Sequence, residues 1–231
     1  MRNWIILFLL LVSGCGDSDD VIRKKAFKAV EARDYVTAVE LFTKLAKKGD
    51  AIAQVNLGVM YKTGRGVEIN GKEAVMWWSK AAEQGNLSAL NNVANAYKYG
   101  KDGVSQDYLE AIKWYEKCVA QPHSFCFVEF GDMYELGLGV QEDQVKAARL
   151  YQMGADQEGI NQGEVEGKAQ AEVHLARMYA NGWGVQVDCE KAVRLMTLAA
   201  NSHTVSSDIA RNLLKDSSCP GGARGMDHSW H

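Results

Sequence analysis

The stretch Ala53–Val67, AQVNLGVMYKTGRGV, decides the fold. Ala53, Leu57 and Tyr61 are spaced i, i+4, i+8 and share one face of a helix. Gly64-Arg65-Gly66 follows, and glycine accepts the left-handed backbone that a helix C-terminal cap requires. Val67 is apolar and placed to tuck under the turn. Asn70, three residues on, stands at the N-cap position of a second helix, and Glu73 completes a capping box with it. That second helix then buries Ala74, Trp77, Trp78 and Ala81 at helical spacing. The stretch and its continuation encode an antiparallel helix pair joined by a glycine turn.

Working outward, the same text returns three times: ALNNVANAYKYGKDGV from Ala89, CFVEFGDMYELGLGV from Cys126, and AEVHLARMYANGWGV from Ala171. The tyrosine recurs at Tyr61, Tyr97, Tyr134 and Tyr179, with spacings of 36, 37 and 45 residues. Asn70, Asp107, Asp143 and Asp188 hold the same N-cap position, and Glu110 repeats the box. Ala111, Trp114, Tyr115 and Cys118 are the counterparts of the buried second-helix residues. Self-similarity at this period marks a solenoid in which each unit buries its face against its neighbours.

Composition agrees. The chain has 231 residues, 47% hydrophobic and 24% charged, the profile of a folded globular protein. Average usage would give roughly twelve prolines, and the chain has 2, beside 22 glycines. Helix after helix, turned by glycine, accounts for both numbers. Lys+Arg 26 against Asp+Glu 29 gives a net charge of −3, so no nucleic-acid partner is expected.

The pattern A-x3-L-G-x2-Y-x2-G-x-G-V-x2-[DN]-x3-A-x2-W-[WY]-x-K-A-A resembles the Sel-1-like repeat, a relative of the tetratricopeptide repeat. The resemblance implies an all-α, right-handed α-solenoid of antiparallel helix pairs. On it, residues 50–85, 86–122, 123–159 and 168–203 are repeats one to four. Residues 21–49 are a degenerate N-terminal pair carrying Ala26, Ala29, Tyr35, Ala38, Phe42 and Leu45. The second unit has one extra residue in its turn. An acidic, Gly-rich insertion at 160–167, within the polar run DQEGINQGEVEG, is expected to stand out as an exposed loop. Residues 204–215 read as a capping helix with Ile209, Leu213 and Leu214 apolar, and 216–231 as a flexible tail.

The first fourteen residues read as an address. One positive charge at Arg2 precedes the apolar run Trp4–Val12, which is too short to span a bilayer and has the dimensions of a signal-peptide core. Val12-Ser13-Gly14-Cys15 resembles the lipobox of bacterial lipoproteins, which makes Cys15 the lipidated first residue of the mature chain; a plain secretory signal is the alternative. With Gly16 after the cysteine, the lipoprotein sorting rule implies an outer-membrane address facing the periplasm. Residues 15–20 then form a tether of at most about 20 Å. The membrane is engaged through this lipid.

Four cysteines remain: Cys118, Cys126, Cys189 and Cys219. Export favours disulfides, and four cysteines allow three connectivities. The cysteine-rich secreted members of the family bridge adjacent helices across C-x7-C, which implies Cys118–Cys126. A capping helix antiparallel to the helix starting near Cys189 would bring Cys219 back to it. Four separate thiols, with Cys118 and Cys126 replacing core alanines, are the other reading.

No catalytic constellation stands up: H-E-x-x-H, G-x-S-x-G, P-loop and C-x-x-C are missing, and the G-x-G pairs recur as helix stops. No cofactor and no metal are expected, although His228 and His231 in the tail could trap a metal adventitiously. His174 reads as a partly exposed or satisfied histidine of a first helix, and His123 as a loop residue. Trp77, Trp78 and Trp114 read as core. What remains is a surface on the first helices. The Leu-Gly-x-x-Tyr register assigns to it Val55, Val59 and Lys62; Asn91, Asn95, Lys98 and Tyr99; Phe125, Val128, Asp132 and Glu135; and Val173 and Arg177. Mixed polar and apolar side chains on rigid helices suit another protein as partner. Short lipoproteins with this repeat resemble immunity proteins that neutralise secreted antibacterial effectors, notably phospholipases delivered by type VI secretion. Envelope signalling or assembly adaptors are an alternative, and a cysteine-rich-type β-lactam-binding hydrolase is a further one.

Overall fold

A computed structural model describes residues 18–121, 124–158 and 162–216. The expected signal segment with Cys15, the residues Pro122 and His123, and the tail with Cys219, His228 and His231 lie outside the described residues. Within them, eleven helices follow one another with no strand. The N-terminal pair is α1 (Asp19–Glu31) and α2 (Tyr35–Ala46). The four repeats are α3 (Ala51–Thr63) with α4 (Gly71–Glu83), α5 (Leu87–Tyr99) with α6 (Tyr108–Val119), α7 (Ser124–Glu135) with α8 (Gln144–Ala155), and α9 (Gln162–Asn181) with α10 (Cys189–Ala200). Helix α11 (Val205–Asp216) closes the array. Each helix packs on the one before and the one after it, and α7 and α9 also touch directly. The architecture is a right-handed α-solenoid.

Helix starts are set by short polar side chains. Asp34, Asp50, Asn70, Asn86, Asp107, Asp143 and Asp188 each accept a hydrogen bond from the amide three residues on, at 2.7–3.2 Å. Asp50 also receives the Arg23 guanidinium from α1, Nε at 3.1 Å, so it ties the N-terminal pair to repeat one. Burial pushes the Asp50 carboxyl up, but the Ala53 amide and Arg23 outweigh it and hold it below the usual range.

The reciprocal half of the expected capping box does not form. The N-cap amides donate instead to the repeat tyrosines' carbonyls: Asn70 to Tyr61, Asp107 to Tyr97, Asp143 to Tyr134 and Asp188 to Tyr179, at 2.9–3.0 Å. Those tyrosine carbonyls lie at a helix end and lack an intrahelical donor, so one bond satisfies both orphan groups. Glu110 is free to accept from Trp114 Nε1 at 3.1 Å.

The glycine turns stack as a second array. Gly66 (φ 76°) and Gly184 (φ 63°) press against the first residues, Tyr35 and Gln144, of the second helix in the preceding pair, where a Cβ would collide with backbone. Repeat two breaks this rule in an informative way. Its longer turn leaves Gly103 with open space, and Asp102 O instead accepts from the amide of Gly71, the first residue of α4. A Cβ on Gly71 would lie 2.7 Å from that oxygen. The extra residue moves the close approach from one chain segment to the other, and glycine moves with it.

Two expectations are corrected at the ends of the array. Helix α1 begins at Asp19, with Ser18 as its N-cap, so the helical region starts inside the expected tether. The insertion is not an exposed loop: its described part lengthens α9 to 20 residues and Gly167 is buried. Glu166 accepts from the Val205 amide at 2.9 Å and the Ser206 amide at 3.1 Å, which makes it the cap of α11. Ala210, Ser206 and Ser207 face the stack, while Ile209 is 51% exposed.

The core forms three clusters along the array, bridged by the partly buried Tyr61, Tyr97 and Trp114, with Tyr115, Tyr151, Phe42, Phe127 and Leu57 fully buried. Each such side chain contributes about 1.5–3 kcal/mol. Cys118 on α6 and Cys126 on α7 are both fully buried and joined by a disulfide, with Cα atoms 6.1 Å apart. Cys189 is also disulfide-bonded.

Candidate binding face

The first helices α3, α5, α7 and α9 supply the face that the sequence assigned to a partner. Expected exposure fails at three positions. Val128 (4% exposed) and Val173 (8%) are core residues, because α7 and α9 pack directly on each other and close over them. Lys98 is 5% exposed, drawn inward by the carboxylates of α7. Val55 and Val59 are half-buried and pack against the core, Asn91 is half-buried, and Lys62 and Tyr99 are exposed. The side chain of Phe125 lies outside the described residues.

In the last two repeats the open face is rotated by one residue from the expected one. The residues immediately before Leu57, Val93, Phe130 and Leu175 are Asn56, Asn92, Glu129 and His174. Glu129 and His174 are half-exposed where Val128 and Val173 are buried, whereas in the first two repeats Val55 and Asn56, and Asn91 and Asn92, are alike half-buried. One residue is about 100° of helix rotation, enough to exchange core for solvent. Glu129, His174 and the second-helix residue Tyr151 are therefore functional candidates that the register argument missed. The signal available in the sequence was polarity: positions two before the buried residue are Val, Asn, Val and Val, whereas those one before are polar in every unit.

The side chains on this face form a connected strip. Lys98 Nζ donates to Glu129 Oε2 at 2.6 Å and lies 3.6 Å from Asp132 Oδ2. Burial lowers the Lys98 ammonium, but the Glu129 charge and hydrogen bond more than restore it, and it ends above its ordinary value. Tyr99 donates to the same Glu129 oxygen at 3.0 Å, and burial together with that carboxylate raises the phenol. Further along, Tyr151 OH lies 2.7 Å from Asp132 Oδ1 and 2.6 Å from Glu135 Oε2. The His174 ring lies against Tyr151 with centroids 4.7 Å apart and planes tilted by 33°. Burial pushes Glu135 up, but His174, Tyr151 and the Arg177 charge pull it below the usual range. Burial between two carboxylates raises the Tyr151 phenol strongly. In the first two repeats Lys62, Trp78, Asn92, Asn95, Tyr99 and Lys101 line a cleft, with Lys62 Nζ 5.8 Å from the Trp78 ring. Tyr115, buried beneath, donates to Asn95.

A family model described as the Sel1 repeat matches residues 29–50, 51–86, 87–122, 131–158 and 169–203, more than half of the chain. The chain belongs to the Sel1 repeat family. The first match adds part of the N-terminal pair, which the sequence pattern left as degenerate, to the set of Sel1 repeats. Among solved structures, a Sel1 repeat protein from Oxalobacter formigenes superposes with a TM-score of 0.72 at 31% identity, covering 82% of this chain and 75% of that one. A protective antigen present in uropathogenic Escherichia coli strains, described as displaying an SLR fold, gives a TM-score of 0.72 at 30% identity over 86% of this chain and 41% of that one. Protein sel-1 homolog 2 of Rattus norvegicus is 33% identical over 136 residues, 56% of this chain and 20% of the relative. The chain thus spans about a fifth of the length of these curated relatives. Sel1 repeats are a protein-interaction fold, in general a scaffold without catalysis.

Proposed function

We propose that the chain is a non-catalytic binding protein of the bacterial envelope that holds another protein on its first-helix face. The observation that carries this reading is the polar strip from Tyr99 through Glu129, Asp132 and Glu135 to His174 and Arg177. Three successive units contribute to it, and each side chain is held by a neighbour yet open in part to solvent. Groups already fixed in this way lose little entropy when a partner arrives. The buried Cys118–Cys126 bridge and the bonded Cys189 favour an oxidising compartment, in keeping with an exported chain. Lipidation at Cys15 would tether it to the outer membrane, facing the periplasm.

A partner met at a membrane is the setting of immunity, in which the chain neutralises a secreted antibacterial effector of the phospholipase type. The test is photo-crosslinking in intact cells. A crosslinking residue at Asn92, Tyr99 or Arg177 is expected to trap a partner, and one at Lys113 or Glu116 on the outer side of α6 is not. Adducts from the α6 positions alone, or from none, would remove the binding face. Immunity itself predicts that cells making the chain survive the effector and that Glu129→Lys with Asp132→Lys abolishes protection. Survival unchanged by that reversal would sink it.

A further inference from the structure

We propose that Asp132, Glu135 and His174 form a binding site for a single divalent transition-metal ion of the zinc class. This goes beyond the binding reading and stands without it, since metal uptake is measured with no partner present.

Two residues of α7 and one of α9 converge here, one turn apart on α7 and brought together by the direct packing of the two helices. One oxygen of each carboxylate and one imidazole nitrogen lie within 4.8 Å of one another. His174 Nδ1 is 3.7 Å from Asp132 Oδ1 and 3.8 Å from Glu135 Oε2. A tetrahedral ion with bonds of about 2.1 Å holds its ligands about 3.4 Å apart, so the two nitrogen–oxygen edges need shorten by only a few tenths of an ångström, and the carboxylate–carboxylate edge closes from within 4.8 Å.

Proton counting points the same way. The Tyr151 hydroxyl has one proton and sits within 2.7 Å of both Asp132 Oδ1 and Glu135 Oε2. With both carboxylates ionised, one of those contacts is an oxygen facing an oxygen with no proton between them. His174 Nδ1 does not repair this, because it is beyond hydrogen-bond range of both. That nitrogen is itself sealed from solvent and has no hydrogen-bond partner among the described residues. An orphan nitrogen and an over-subscribed hydroxyl thus adjoin the same two carboxylate oxygens.

Charge leaves room for a cation. The three carboxylates Glu129, Asp132 and Glu135 stand against Lys98 and Arg177, and Lys98 is committed to Glu129. One imidazole with two carboxylates suits zinc or a neighbour in its series and does not suit magnesium or calcium, which take oxygen alone. Tyr151, fully buried and in ring contact with the imidazole, would hold the ligands in place by donating to a carboxylate.

The test is calorimetric titration of the purified, chelator-treated full chain with zinc chloride, in a His228→Ala, His231→Ala background that removes the tail histidines. One equivalent is expected to bind. Glu135→Gln or His174→Ala should weaken it by more than about 100-fold and Tyr151→Phe by about tenfold, while magnesium should not compete. Imidazole 15N resonances of His174 in the unmutated site should shift on zinc addition, a readout independent of how well the variants fold. Absence of stoichiometric zinc binding, binding untouched by both ligand variants, or equal uptake of magnesium would overturn the site.

Discussion

Gly58→Ala is the sharpest probe of how these helix pairs close. In a helix interior alanine is favoured over glycine by about 1 kcal/mol, so a reading by propensity expects stabilisation. The structure reverses the sign. A Cβ on Gly58 would lie 2.6 Å from Trp78 Cδ1 and 2.9 Å from Cε2, where ordinary carbon contacts need about 3.5–4.0 Å. The indole must retreat by about an ångström, yet Trp78 is 2% exposed and its Nε1 donates to Val55 O at 3.1 Å. Overpacking of this kind costs about 1–3 kcal/mol, and loss of the hydrogen bond adds about 1. Against the propensity gain, the net is a destabilisation of about 1–3 kcal/mol. Urea unfolding of parent and variant measures it. The decisive arm is the same substitution beside Trp78→Leu: with the indole gone, Gly58→Ala should stabilise by about 0.5–1 kcal/mol. A variant at least as stable as the parent in the tryptophan background, or a cycle with no change of sign, would refute the reasoning.

Three further outcomes follow from particular contacts. Asp50, held below its usual pKa, contributes stability that is whole above the unfolded-state value and lost as pH falls through the lower folded one. Asp50→Ala should therefore cost about 1 kcal/mol at neutral pH and flatten the acid limb of a pH–stability profile; an unchanged limb would count against the role. Glu166→Ala removes the cap of α11 and should cost about 1 kcal/mol, with faster hydrogen exchange confined to α11; protection at Val205–Asp216 as in the parent would contradict it. Cys118→Ala with Cys126→Ala opens a loop of sequence separation 8 and should lower stability by about 2.5 kcal/mol, read as a fall in the urea midpoint.

How far the sequence could be read depended on which residues the repeat constrains. Tyr61, Gly64, Gly66 and the N-cap Asn70 occupy positions where backbone geometry leaves few choices, so they recur and announce the fold. The extended α9 was not legible. DQEGINQGEVEG is polar and Gly-rich, and helix there is secured by tertiary contacts: Gly167 against the stack and Glu166 reaching α11 some forty residues away in sequence. Propensity carries no information about such a partner. The one-residue rotation of the open face in repeats three and four was hidden for a related reason. It follows from α7 packing on α9, a contact between repeats, whereas the register was read within one repeat.

The same distinction locates function. Positions that stay small or fixed in every unit are consumed by packing. Gly58 and Gly131, with Ala94 and Ala176 at the same place in the other two, leave room for the second helix, Gly58 for Trp78 and Gly131 for Tyr151, and the N-cap amides take the tyrosine carbonyls. Positions that vary from unit to unit are free to act. Asn56, Asn92, Glu129 and His174 occupy one place in four repeats, and only in the last two does that place carry ionisable groups. Here α9 packs on α7 as well as on α8 and α10, and this extra contact brings His174 over Asp132 and Glu135. The departure from regularity that the sequence showed as an insertion therefore lies in the helix that completes the ionisable cluster. The chemistry of the chain concentrates at that junction of repeats three and four.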